Sequence, residues 1–489
     1  VRLLNPLYEV VMEAKFLKLK QNIRSIRFKC ILCIALSLLV AVPANSLTIK
    51  EEEEMAREFL KVVQAYFPIV EDPTISAYVD NLGRKILASY PPQPFQYRFF
   101  VIKDDTYNAF ATPAGNVFVN TGLIAAMEDE AELAGILAHE IAHVYCRHIS
   151  KKIERSKKIN IATLAGVAAG LFLGAAGGGA AAQAATMGAL AAGQTAELAY
   201  SRENEIQADQ IGLEYLNQAG YGGEGLMDIL NKIRSKQWYG SEIIPKYMMT
   251  HPAVEDRIAY IDTILSGRKV DVKPLTAEEK YRFKLVHTRV VALYSDQDVA
   301  LRQFKGELQD KPSDPLANYG YGLTLARSGD TRQAVPYLKK TLEANAFNSQ
   351  YLTALGRVYF QAGNYADALD ALNSAISIQP DNPESLFFLG RIQLETEKFA
   401  AAQVTFEGLL RRYPDVNELN YYLGITYGKM GKLGMAHYNL GVFHFKKLDF
   451  KKARVQFQKA LESGVEPGIQ AQIDQAISEL DKVEKGKKG

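Results

Sequence analysis

The sequence predicts an α+β protein: a mainly helical domain with a small β-sheet, followed by an all-α solenoid. Three observations carry this expectation. Helical periodicity dominates from Ile49 to Leu265, short alternating stretches between Phe95 and Ile124 read as strands, and the C-terminal third repeats every 34 residues.

The chain has 489 residues, 48% hydrophobic and 23% charged, with a formal charge of +2. That is ordinary for a globular protein of two to four domains. With no long basic block, nucleic acid is not an expected partner. Residues 1–46 resemble a signal peptide. Lys15 to Lys29 is a basic region, "CILCIALSLLVAV" an apolar core shorter than a membrane span, and "VPANS" supplies small residues for cleavage. The expected compartment is therefore the periplasm. Cys30 and Cys33 fall inside this segment, leaving Cys146 as a small buried side chain with no disulfide partner.

"IKEEEEMAREFLKVVQAYF" has helical periodicity and an acidic first turn, and "TISAYVDNLGRKIL" is again helical. "FQYRFFVIKD" alternates and is aromatic, which predicts a strand. "NAFATPAGNVFVNTGLI" predicts two short strands around a turn at Pro113–Asn116. "DEAELAGILAHEIAHVYCRHISKKI" reads as one long helix, acidic at its start and basic at its end. Residues 161–193 are rich in Ala and Gly and carry no charge. They predict a helical hairpin packed on the protein or in peripheral contact with a membrane, since Ala and Gly drive insertion poorly. A helix from Ala196 should end with Gly220 as its C′ residue, and His251 should lie on a loop entering a helix.

In the C-terminal third, Gly322, Gly356, Gly390 and Gly424 lie 34 residues apart, and Ala334, Ala368, Ala402 and Ala436 keep the same step. Small residues at fixed offsets let paired helices approach closely, the mark of tetratricopeptide repeats. Tyr438–Gly464 restarts the pattern out of phase as a last helix pair. The expected boundaries are a signal peptide at 1–46, a first domain at 47–265, a helical linker at 266–312, repeats at 313–480 and a basic tail at 481–489.

His139 and His143, at i and i+4, share one helix face and can share a metal. Glu140 between them suits a general base. A catalytic zinc needs a third protein ligand and an open position for water. Helical continuation would point His148 away, which leaves it as a helix-terminal or supporting residue. "SRENEIQADQIG" offers Glu205 and Asp209 four apart on one face. They read either as a ligand with an orienting carboxylate or as a solvated acidic face.

"HEIAH", "SRENEIQAD", "THPAVEDRI" and the upstream "NAFATPAGNVFVNTGLI" together resemble the M48 family of zinc metallopeptidases, over about Ile49 to Leu265. With a signal peptide and tetratricopeptide repeats, the whole chain is similar to the periplasmic group of that family that guards outer-membrane protein assembly. The resemblance implies a gluzincin-type metallopeptidase domain, one Zn2+ per chain held by His139, His143 and Glu205, Glu140 as catalytic base, and Asp209 behind the ligands. It also implies His251 as an inhibitory fourth ligand of a resting state. Arg257 would steady that loop or the tetrahedral intermediate. Members of that group can carry a disulfide in the repeats; a chain left with Cys146 alone cannot.

The function expected from the sequence is metalloendopeptidase hydrolysis of peptide bonds in misfolded or stalled exported proteins, in quality control of outer-membrane proteins. Substrate would add as a strand beside an edge strand at Asn116, Val117, Phe118, Val119 and Asn120. The repeats would bind unfolded outer-membrane proteins or the outer-membrane assembly machinery. Two rivals are a periplasmic chaperone or scaffold with little proteolysis and a membrane-embedded protease of the same family.

Overall fold

A computed structural model describes residues 47–155, 200–239, 246–267, 274–414 and 416–486. The expected signal peptide and the 161–193 hairpin lie outside the described residues. Helix α1 (Ile49–Tyr66) starts on a capping box of Thr48 with Glu51. Helix α2 (Pro73–Leu87) starts at Asp72, whose carboxylate accepts from the backbone N–H groups of Thr74 and Ile75 at 3.1 and 3.2 Å, with Pro73 in the first turn.

Strands β1 (Arg98–Ile102), β2 (Ala109–Ala111) and β3 (Asn116–Asn120) form one sheet in the order β1-β3-β2. β1 runs parallel to β3 with Phe100 opposite Phe118, and β2 runs antiparallel with Phe110 opposite Phe118. This corrects the expectation for Asn116, Val117, Phe118, Val119 and Asn120. They form the central strand, wholly buried, and cannot accept a further strand. The physical cause is the crossover: α2 and β1 precede the hairpin, so its second strand pairs on both sides. The outer side of β1 meets residues 68–70, with Val70 N–H donating to Val101 O at 2.8 Å. β2 therefore occupies the other end of the sheet.

After α3 (Thr121–Ala125), helix α4 (Glu130–Tyr145) runs through the middle of the domain, capped by Asp129. The single long helix expected from the sequence is in fact two. Arg147 takes a left-handed φ of 54° between α4 and α5 (His148–Arg155). No Gly or Pro announces this break. Arg147 is held from outside by Glu52 of α1, which receives its Nε at 2.7 Å.

Helix α6 (Arg202–Gln218) ends as expected, with Gly220 at φ 90°. Helices α7 (Glu224–Tyr239), α8 (Lys246–Thr250) and α9 (Val254–Gly267) complete the domain. Their apolar faces meet α2, α4 and the sheet in one core that includes Leu82, Phe99, Val117, Leu137, Leu230 and Ile261.

Helix α10 (Ala277–Tyr294) and α11 (Gln297–Asp310) fill the expected linker. α10 is built into both neighbours: Phe283, Val286 and Val290 join the first core, while Leu285, Val291 and Leu293 join that of the repeats. Arg289 of α10 is wholly buried and donates to Asp72 at 2.7 Å, Tyr319 at 2.9 Å and Glu384 at 2.6 Å.

The repeats pair α12 (Pro315–Arg327) with α13 (Thr331–Ala344), α14 (Ser349–Gln361) with α15 (Tyr365–Ile378), and α16 (Pro383–Glu395) with α17 (Phe399–Arg412). They continue as α18 (Asn417–Lys429), α19 (Leu433–Lys446), α20 (Phe450–Glu462) and α21 (Pro467–Gly486). The periodic glycines sit where helices touch: a Cβ on Gly356 would lie 2.6 Å from Leu372, and one on Gly424 2.7 Å from Leu440. The out-of-phase restart has a structural cause. α19 closes the unit begun by α18 and opens the next, packing Gly441 against Phe457 of α20. Residues 481–486, expected as a tail, continue helix α21.

Candidate metal centre

α4 presents His139, Glu140 and His143, and α6 presents Glu205 and Asp209 across from them. Two local features bring the helices together. Ser201 and Asn204 form a capping box that starts α6 just before Glu205. Gly212 then allows close approach, since a Cβ there would stand 3.3 Å from the backbone of Ala138 and His139. His251 arrives on the bend between α8 and α9, where Ala253 takes a φ of 62°.

His139, His143, Glu205 and His251 each offer one ligand atom, and all four atoms lie within 4.8 Å of one another. Nε2 of His143 stands 2.9 Å from Nε2 of His139 and 3.4 Å from Oε1 of Glu205. Nδ1 of His251 stands 3.2 Å from the same carboxylate and 3.4 Å from Nε2 of His139. All four residues are buried. Three imidazoles and one carboxylate are a donor set of the kind zinc takes.

Behind the donors, Nδ1 of His139 lies 2.8 Å from Asp209 Oδ1, the carboxylate–histidine pairing that orients a metal ligand. Arg257 of α9 donates Nε and Nη2 to the Asp209 carboxylate at 2.8 and 2.7 Å, and its Nη1 lies 2.6 Å from Glu205 Oε2. Burial pushes Glu205 and Asp209 upward. For Glu205, His251 and Arg257 outweigh it and hold the group well below its usual value; for Asp209, Arg257 and His139 outweigh it and lower the group. Glu140 is the exception. Burial dominates and raises its pKa, and neither of its oxygens has a hydrogen-bond partner. Nε2 of His251 stands 3.5 Å from its Oε1. A buried carboxylate without a partner beside a cluster of donors fits a metal centre that also holds water.

His148 does not point away. The break at Arg147 turns it back, so its Nδ1 lies 2.9 Å from Nδ1 of His143 and its Nε2 lies 2.9 Å from Oε1 of Gln207. Three further residues escaped sequence reasoning: Gln207, Tyr200 and Tyr247. The Tyr200 ring stacks on His143 at 3.7 Å, and Tyr247 stacks on His251 at 4.3 Å. Tyr247 stands four residues before His251, a spacing that signals a shared helical face. Tyr200 and Gln207 carry no such signal. A small cavity beside His143 is lined by Ala111 of β2, Pro113, Arg147 and Tyr200.

Residues 71–265 match the model of peptidase family M48. The chain carries an M48 peptidase domain. Residues 322–383 and 359–421 match two tetratricopeptide repeat models, so the M48 domain is followed by repeats of that kind. The chain is 32% identical over 320 residues to a Vibrio cholerae protein, an alignment covering 64% of each chain. It is 27% identical over 314 residues to a protein of Escherichia coli, covering 63% of each. Both carry the name beta-barrel assembly-enhancing protease. The matches thus span just under two thirds of those relatives' lengths. The chain is also 28% identical over 235 residues to mitochondrial metalloendopeptidase OMA1 of Schizosaccharomyces pombe, covering 46% of this chain and 64% of that one. The match to this family implies a metal.

Proposed function

We propose that the chain is a zinc-dependent metalloendopeptidase of the periplasm that hydrolyses misfolded or stalled exported proteins during outer-membrane protein assembly. The observation that carries this reading is the buried Glu140 carboxylate, without a hydrogen-bond partner, beside four convergent metal donors. The names of the relatives support the setting.

His139, His143 and Glu205 would hold one zinc, with Asp209 and Arg257 fixing His139 and Glu205 from behind. When bound, zinc supplies Lewis acidity and lowers the pKa of water in the site. Glu140 takes a proton from the attacking water and returns it to the leaving amine. Burial, which raises its proton affinity, suits that exchange. β2, buried like β3 but paired with one strand only among the described residues and next to His143 through Ala111, replaces β3 as the strand beside which an extended substrate would lie. Tetratricopeptide helices α12 to α21 would hold the unfolded chain or the assembly machinery.

His251 is the proposed cap of the resting enzyme. Every donor, His251 included, is buried, and Tyr247 ties the segment that carries His251 by donating its N–H to Tyr107 O at 3.1 Å. The same burial is what a second reading, a chaperone with structural zinc, would use. No described helix is long and apolar enough to cross a membrane, and residues 161–193 lie outside that statement. Casein cleavage by the wild type and by Glu140→Gln tests the proposal: the variant should bind zinc and cleave nothing. Equal cleavage by both chains would remove Glu140 as base.

A further inference from the structure

The two helical histidines of the centre are supported differently. His139 faces the Asp209 carboxylate, an acceptor under any proton arrangement. His143 instead faces another imidazole, His148, and His148 faces the exposed side chain of Gln207. This row exists because α4 breaks at Arg147, and Arg147 is tied to Glu52 on the far side.

The proton inventory of the row is restrictive. The 2.9 Å gap between Nδ1 of His143 and Nδ1 of His148 has room for one hydrogen. If His148 carries that hydrogen, His143 accepts it, and the neutral His143 must carry its own on Nε2. An Nε2–H points into the donor cluster and cannot ligate a metal. If His143 carries it, Nε2 has a free lone pair, and the neutral His148 carries its hydrogen on Nε2, where Gln207 Oε1 accepts at 2.9 Å. With Gln207 Oε1 facing His148, the second arrangement satisfies every atom of the row, and of the two it alone leaves His143 able to bind.

We infer that His148, fixed by Gln207, is a positioning residue that sets the tautomer of His143 and thereby the metal affinity of the centre. The inference rests on the proposed role of His143 as a ligand. It makes the acceptor at the Nδ1 position of His148 the active feature, whatever the ring's bulk or aromaticity contributes to packing.

The test uses the full chain and zinc, with affinity read by competition against a chromophoric chelator. His148→Phe keeps the ring and removes the acceptor. It should weaken zinc binding about 10- to 100-fold, the usual cost of losing a partner behind a metal ligand. His148→Asn replaces Nδ1 by Oδ1 and should return affinity to within a few-fold of wild type. Gln207→Leu leaves His148 free to take either tautomer and should give a smaller loss. Thermal midpoints of the metal-free chains should agree, separating the effect from packing. Wild-type affinity in His148→Phe, or equal weakness in His148→Asn, overturns the inference. Should His148→Phe fail to fold, Gln207→Leu decides, and unchanged affinity there overturns it. A wild type that binds no zinc fails the metal-centre reading itself, and is told apart because no variant is then needed.

Discussion

Replacing Arg289 by methionine removes a buried cation that pairs with both Asp72, ahead of α2, and Glu384 of the repeats. Arg289 is wholly buried, and burial alone would lower its pKa. Asp72 and Glu384 reverse that and hold it well above the ordinary arginine value. Taking one partner from a buried, hydrogen-bonded ion group costs about 3–5 kcal/mol, because the other charges stay behind uncompensated. Here the lower end applies. Asp72 keeps its two backbone donors at the start of α2, and Arg357 still stands 3.4 Å from Glu384. About 3 kcal/mol is about two decades in the opening equilibrium. Hydrogen exchange should therefore accelerate by about two decades at the starts of α2 and α16.

The pH dependence follows from the sign of the Glu384 shift. Burial raises its pKa, but Arg289 and Arg357 outweigh burial and hold it below 4.5. A depressed folded value means stability that is present above the unfolded value and lost as pH falls through the folded one. The gap between wild type and Arg289→Met should thus be widest near neutrality and shrink below about pH 4. Adding Asp72→Asn and Glu384→Gln to Arg289→Met removes the stranded charges, while asparagine still caps α2. That triple variant should regain part of the loss. Exchange in Arg289→Met that matches wild type, or a triple variant weaker than the single one, would refute the reasoning.

His251→Ala should raise casein cleavage several-fold with zinc content unchanged, because it removes the cap and leaves the other three donors. Unchanged or lower cleavage with zinc retained would remove His251 as the cap. Asp209→Asn should weaken zinc binding about 10- to 100-fold in chelator competition, since an amide orients His139 less firmly than a carboxylate. Gly441→Ala should cost about 1–3 kcal/mol in urea denaturation followed by circular dichroism, as its Cβ would meet Phe457 at 2.5 Å. Gly306→Ala, inside α11 with nothing within 4 Å, should instead stabilise by about 0.5–1 kcal/mol.

What the sequence made legible was local. The i, i+4 spacing of His139 with His143 and of Glu205 with Asp209 places each pair on one face, whatever the rest of the fold does. The 34-residue glycine step is likewise a property of adjacent helices, and each such glycine meets a side chain of its partner. What stayed hidden depends on contacts distant in sequence. The break at Arg147 needs Glu52, almost a hundred residues earlier, and without it His148 reads as a bystander. The central place of Asn116–Asn120 needs β1, which lies outside the hairpin motif. Tyr200 and Gln207 enter the centre only because α6 crosses α4 at Gly212. The expectation for Cys146 as a small buried side chain agrees with its place at the end of α4.

The central claim is that one zinc, held by His139, His143 and Glu205 with Glu140 beside it, makes this chain a peptidase. The most direct measurement is zinc titration of the metal-stripped chain with casein cleavage as the readout. Cleavage should be absent at the start, rise linearly and break at one equivalent per chain, while Glu140→Gln should bind one equivalent and stay silent. Cleavage by the stripped wild type, or by the zinc-loaded variant, would contradict the claim.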